Sequence, residues 1–224
     1  MEELQKINII YEDNHIIVAV KPANMPVCLD SSKDKDLLSI LKEYIKEKYH
    51  KPGNVYLGLV HRLDRPVSGI MVFAKTSKAA ERLAKQINNK EFIKTYYAII
   101  EGTPKEKDTF KDYLKKDEKT NTSYITNEKN GKLSILDYTL IKSKNNLSLV
   151  KINLLTGRHH QIRVQFSSRH YPLYGDHKYN KNFIKDNKEN IALIAKELSF
   201  YHPTTKELLH FEIDLPKKYP YDLF

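Results

Sequence analysis

Asp64 stands between Arg62 and Arg65 in the stretch GLVHRLDRPVSGIMVFAK, residues 58 to 75, with a short apolar run on each side. Neighbouring guanidiniums favour the charged form of a carboxylate, so such an aspartate suits a nucleophile or base and is a poor proton donor. The plainer alternative is a surface turn whose aspartate pairs with an arginine. Other residues weigh on that choice. The chain holds only six arginines among 38 Lys+Arg, and all but Arg82 fall in two short stretches: Arg62 and Arg65, then Arg158, Arg163 and Arg169. In a lysine-dominated chain, a planar and permanently charged fork points to recognition of carboxylate or phosphate. Between the two stretches, strict alternation from Glu91 to Glu101 places Lys94 and Tyr96 on one face of a strand and Tyr97 on the other.

Several familiar arrangements are excluded. His61-Arg62-Leu63-Asp64 has the wrong order for a kinase catalytic loop, and no glycine-rich phosphate loop or Asp-Phe-Gly accompanies it. P-loop, dinucleotide-binding, G-x-S-x-G and H-E-x-x-H patterns are absent. His159 and His160 are adjacent, would diverge by about 100° on a helix, and have no third ligand suggested nearby, so no metal is expected.

The elements that must position these residues read as one large domain over residues 1–224, long enough to bury its core without staples. A single cysteine, Cys28, rules out a disulfide framework and fits a reducing, cytoplasmic setting; neither a signal peptide nor a membrane span is legible. The net charge of +10 points to a polyanion such as nucleic acid. Isoleucine- and valine-rich runs at 7–11 and 15–20 predict a hairpin about Glu12-Asp13-Asn14, and KPANMPV predicts extended chain. Asp36 is expected to cap a helix to about Tyr49, burying Leu37, Leu38, Leu41, Tyr44, Ile45 and Tyr49. Strands are expected at Val55–Val60 and Gly69–Ala74 about the Asp64 loop, followed by a helix at 78–88 capped by Ser77. The lysine- and acid-rich segment 104–121 reads as an exposed, mobile loop. Turns at Asn130-Gly131 and Asn145-Asn146 delimit a meander to Leu155. Ile162 and Phe166 predict a short docked helix with Arg158 and Arg163 off its apolar face. Strands at 191–200 and 208–215 close the chain after a polar stretch that follows Gly175-Asp176. The expected class is α+β with a mainly antiparallel mixed sheet and a few flanking helices.

Five segments, YEDNHIIVAVKPANMPV, GLVHRLDRPVSGIMVFAKT, FIKTYYAIIEG, TGRHHQIRVQF and LSFYHPTTKELLHFEIDLP, occur in an order and spacing that resemble the RluA family of RNA pseudouridine synthases across nearly the whole chain. The resemblance implies a pseudouridine synthase fold with a catalytic cleft across the sheet, in a short form without the small S4-type module. It implies a cofactor-free isomerisation of uridine in tRNA or rRNA, with the base flipped out and reattached through C5. Asp64 is then the catalytic aspartate, Arg62 helps displace the base, Tyr96 stacks on the uracil and Arg163 pairs with Asp64. Whether Asp64 attacks base or sugar, or removes a proton, is left open. Arg65, Arg158, Lys75 and Lys94 are candidate contacts to the RNA backbone or supports of the loop, as is Lys21, and His61 is a candidate loop support. The chain is expected to be monomeric, with RNA as partner and no metal, membrane or obligate protein partner. Two positions depart from the family pattern: Leu193-Ile194-Ala195 replaces Leu-His-Ala, and His159 replaces threonine. The competing reading is a catalytically silent RNA-binding module on the same scaffold.

Overall fold

The computed structural model describes residues 7–183 and 190–224. They form two compact units: the chain up to Phe92 with Glu197–Ile213, and Ile93–Lys196 with Asp214–Phe224. Among the described residues there are eleven strands and three α-helices, and the strand pairs within each unit run antiparallel, in keeping with the α+β class. No described helix is long and apolar enough to cross a membrane.

In the first unit, β1 (Asn8–Glu12) and β2 (Ile16–Lys21) form the expected hairpin, and β2 continues onto β4 (Ser68–Ala74). Asp13 shapes the turn by accepting from the amides of His15 at 2.7 Å and Ile16 at 2.8 Å. Asp36 caps α1 (Leu37–Lys48) through the amide of Ser39 at 3.0 Å. Its buried residues are Leu37, Ile40, Leu41 and Ile45; Tyr44 and Tyr49 lie at the edge, where their hydroxyls donate to Glu12, each at 2.9 Å. The expected strand at 55–60 shortens to β3 (Gly58–Leu59), paired with β4. α2 (Ser77–Asn88) is capped one residue earlier than expected, by Thr76, whose extended backbone lets its hydroxyl accept from the Ala79 amide at 3.1 Å. Ile16, Val18, Ile70, Val72, Leu83, Phe92 and Phe200 form its core. β11 (Leu208–Glu212) pairs with the end of β10 (Leu193–Tyr201), whose residues from Glu197 on belong to this unit.

In the second unit the order is β5-β9-β8-β6-β7: β5 (Ile93–Glu101), β9 (Leu147–Leu154), β8 (Lys132–Lys144), β6 (Lys107–Asp117) and β7 (Thr122–Thr126). The turns came out as expected: Asn145 and Asn146 both take positive φ, 53° and 58°, the pattern a two-residue hairpin loop requires. The segment 104–121 did not. Its greater part is β6, an eleven-residue interior strand paired with β8 and β7. Phe110 and Leu114 point into the core, but Asp112 occupies the position between them and masks the alternation in the sequence.

The short helix α3 (Gln161–Ser167) packs on the same face, where Phe110, Tyr138 and Phe166 form an aromatic trio with ring centroids 5.0 to 5.3 Å apart. Burying a phenylalanine as completely as Phe166 contributes about 1.5–3 kcal/mol. Residues 161–166 are all buried, so the expectation that Arg163 sits off an apolar face is corrected: α3 is enclosed all round, and Arg163 is 4% exposed.

Candidate active site

In the first unit Asp64 lies in the loop that closes the β3–β4 hairpin. Leu63 and Val67, both buried, anchor the chain on either side, and the Val67 amide donates to the Asp64 carbonyl at 3.0 Å. Pro66 biases Arg65 towards extended backbone, which opposes helical continuation of the turn. His61 is held against the strand that follows the loop: its Nε2 accepts from the Val72 amide at 3.1 Å and its ring meets Phe92 edge-on at 5.2 Å. Asp64 is half-buried and Arg62 is exposed, so the loop holds a carboxylate between fixed apolar neighbours with a long cation at its rim.

Arg65 does not serve the Asp64 carboxylate. Its guanidinium pairs with Asp34, lies 3.6 Å from Asp30 and donates from Nε to the Asn24 carbonyl at 3.2 Å, which makes it a support for the preceding loop. Lys75 is likewise committed, to Glu12 at 2.7 Å and the Asp13 carbonyl at 2.6 Å, with its side chain 7% exposed. It is a structural cation rather than a phosphate contact. Lys21, which is wholly buried, feels the charge of Asp64. Its Nζ donates to the carbonyls of Pro22 and Met25 at 2.8 Å and of Arg65 at 2.9 Å, joining the KPANMP loop to the turn that carries Asp64. Burial pulls its pKa down to about 7, against the attraction of Asp64 and with the repulsion of Arg65. The idea that Lys21 meets phosphate is therefore corrected: it has no surface left to do so.

In the second unit Tyr96 stands on the β5 face that carries α3, buried to 6% exposure and in register with Ile152 of β9. Lys94 shares that face, and burial lowers its pKa. A Cβ added to Gly157 would lie 3.4 Å from the Lys94 Nζ, so this lysine sits against the Thr156-Gly157-Arg158 turn. Tyr97 points the other way, with Nζ of Lys196 at 5.2 Å and of Lys151 at 5.7 Å from its ring. Arg158 is exposed and donates from Nε to the Leu133 carbonyl at 3.0 Å.

Arg163 is locked inside this unit by a carboxylate the sequence reading passed over. Its Nε and Nη2 donate to the two oxygens of Asp176 at 2.8 and 2.6 Å, a buried two-pronged pair. Gly175 makes that delivery possible: at φ 74° it tolerates the turn, and a Cβ there would strike the Asn190 carbonyl at 2.5 Å. Tyr179 places its ring 5.1 Å from the Arg163 guanidinium, and its hydroxyl contacts His160 Nδ1 at 2.8 Å and accepts from the Ser123 amide at 2.6 Å. Burial, aided by the charge of Arg163, drives the His160 pKa down to about 2, so the imidazole is neutral at any working pH. The Gly175-Asp176 turn was legible in the sequence, but its partner was not. A clue lay in the pattern nonetheless, since an arginine on so apolar a helix needs a buried acid.

Among the described residues no group of three or more His, Cys, Asp and Glu side chains could hold a metal ion. The first unit offers one carboxylate on a braced turn, and the second, taken by itself, an aromatic ring on a strand and a guanidinium fixed in orientation. A family model described as RNA pseudouridylate synthase matches residues 15–168. An uncharacterized RNA pseudouridine synthase of Aquifex aeolicus is 34% identical over 95% of this chain and 71% of its own length. Ribosomal large subunit pseudouridine synthase C of Buchnera aphidicola is 33% identical over 89% of this chain and 64% of its own. The solved structure of human RNA pseudouridylate synthase domain containing 4 superposes with a TM-score of 0.78 at 21% identity, covering 96% of this chain and 91% of that one, a likeness of fold.

Proposed function

Because the chain belongs to the RNA pseudouridylate synthase family, we propose that it converts specific uridines of structured RNA to pseudouridine by an aspartate-dependent route without a cofactor. Ribosomal RNA is the favoured substrate, following the names of relatives such as the Buchnera protein. The observation that carries the reading is the Asp64 turn, braced by Leu63, Val67, His61 and Lys21 while its carboxylate is kept partly open.

Asp64 is the catalytic carboxylate. The isomerisation breaks the bond from ribose C1′ to uracil N1, turns the base and joins C1′ to C5; the C5 proton is lost and N1 gains one. Reaching that bond requires extruding the base, at a cost of a few kcal/mol. Tyr96 offsets part of this as a stacking platform, typically worth about 1–3 kcal/mol per base. Arg62, exposed and long, fills the vacated place in the RNA, and Arg163 presents a guanidinium that does not have to be ordered during the reaction.

Release of tritium from RNA carrying 5-tritiated uridine tests the reading. The wild-type chain should release tritium from ribosomal RNA, and Asp64→Asn should reduce release to background while RNA affinity stays within several-fold. RNA binding without release from any cellular RNA pool would leave the silent binding module as the better account.

A further inference from the structure

Strand β6 has nearly balanced charge in sequence but not in space. Counting along it, Lys107, Lys111 and Lys115 fall on one face with Asp117 at its end, and Asp108, Asp112 and Lys116 on the other, because side chains alternate with a period of two. The aspartate face is the core side, where Asp112 accepts from Arg169 at 3.0 and 3.1 Å and from Gln165 at 2.7 Å. The lysine face is exposed at all three lysines. Register extends that face across the neighbouring strands: Lys115 opposes Tyr124 of β7, Tyr113 opposes Leu133, and Thr109 opposes Asp137 of β8. Tyr124 is 46% exposed. The acids on this side engage local partners: Asp137 accepts from the Thr109 hydroxyl at 2.6 Å, Asp117 from the Lys119 amide at 2.9 Å, and Glu128 hydrogen-bonds with Tyr113. Tyr96, in register with Ile152, Tyr138 and Asp108, stands on the opposite face.

We propose that the β6–β7–β8 face bearing Lys107, Lys111 and Lys115 is a second RNA-binding surface, which holds the backbone of a helical segment flanking the target uridine. This rests on the reading of the chain as an enzyme acting on RNA. Eight residues of strand separate Lys107 from Lys115, about 27 Å at roughly 3.4 Å per residue, enough to meet several phosphates. A sheet face with lysines, tyrosine hydroxyls and threonines suits recognition of phosphate and 2′-hydroxyl groups, which is how double-stranded RNA is held without regard to sequence. Because the face lies opposite Tyr96, it contributes affinity and register and takes no part in the chemistry.

The test compares wild type with the triple variant Lys107→Gln, Lys111→Gln and Lys115→Gln, and with a charge-matched control at exposed lysines of the first unit, Lys46→Gln, Lys85→Gln and Lys90→Gln. Affinity for an in-vitro-transcribed large-subunit ribosomal RNA is measured between about 50 and 200 mM salt. Tritium release is measured on that transcript and on a short stem-loop carrying the same uridine. The β6 variant should bind the transcript at least tenfold more weakly, with a salt slope shallower by about 2–3, since each lost phosphate contact removes about 0.7–0.9. Its release from the stem-loop should match wild type, which also shows that it folds. Equal losses in the control, an unchanged slope, or equal losses on the stem-loop would overturn the proposal. Failure of wild type to release tritium from any RNA would instead count against the enzymatic reading, and the binding comparison would still judge the face.

Discussion

Lys21 in the first unit and Arg163 in the second are both buried cations, and the two are satisfied in opposite ways. Lys21 of the first unit donates to three neutral carbonyls, and burial lowers its pKa to about 7. Arg163 of the second is matched in charge and in shape by the two oxygens of Asp176. A rotatable ammonium can gather carbonyls from separate loops, whereas a planar guanidinium paired with a carboxylate is fixed in direction. Lys21 is therefore a fastener for the turn that carries Asp64, and Arg163 is an oriented group.

The sharpest way to break this contrast is to remove the guanidinium. Arg163→Met leaves Asp176 buried without its partner and should cost about 3–5 kcal/mol in chemical denaturation. Arg163→Lys should recover part of that stability but not turnover, because an ammonium cannot reproduce the fork; recovery of both would mean that orientation is unimportant. Lys21→Met should cost less, about 2–4 kcal/mol, since what it strands is three carbonyls and not a charge. If Lys21→Met proved worse than Arg163→Met, the ranking of the two cations would be reversed.

A third comparison uses pH. Burial opposes ionisation of Glu12, but hydrogen bonds from Lys48, Lys75, Tyr49 and Tyr44 prevail and bring its pKa down to about 2. A carboxyl depressed in the folded state contributes stability that is complete above its unfolded value near 4.5 and is lost as pH falls towards 2, here about 3 kcal/mol in all. Glu12→Gln should flatten that part of the acid-denaturation profile; an unchanged profile would remove Glu12 from the role. The smallest effect is expected at Tyr96. Tyr96→Leu should raise KM for RNA about tenfold, in line with about 1–3 kcal/mol for stacking, while Tyr96→Phe should change it little. Equal tolerance of both would mean that the ring is not a platform.

Much of this was legible from local chemistry. The Asp64 loop, the hairpins at Asp13 and at Asn145-Asn146, and the shared face of Lys94 and Tyr96 rest on turn residues and alternation, which act over a few positions. What escaped depends on partners distant in sequence. β6 looked like a loop because Asp112 interrupts its apolar face, and the arginine that satisfies it is Arg169. Asp176 looked like a turn residue because its partner lies on a helix thirteen positions earlier. Lys75 and Arg65 looked like free cations because Glu12 and Asp34 are brought to them by the fold.

The helix that carries Arg163 has only seven residues, begins at His160 with a left-handed φ of 53° and has no side-chain cap. Isolated helices shorter than about 12–15 residues are marginal in water, so α3 persists by packing alone. In hydrogen-exchange terms, it has no opening of its own. The amides of Val164 and Ser168, bonded to the carbonyls of His160 and Val164, should exchange together with those of β6 and β8 as one cooperative block. The Arg163 guanidinium is then as long-lived as the sheet beneath it, and weakening the Phe110–Tyr138–Phe166 trio would shorten that lifetime without altering Arg163 itself.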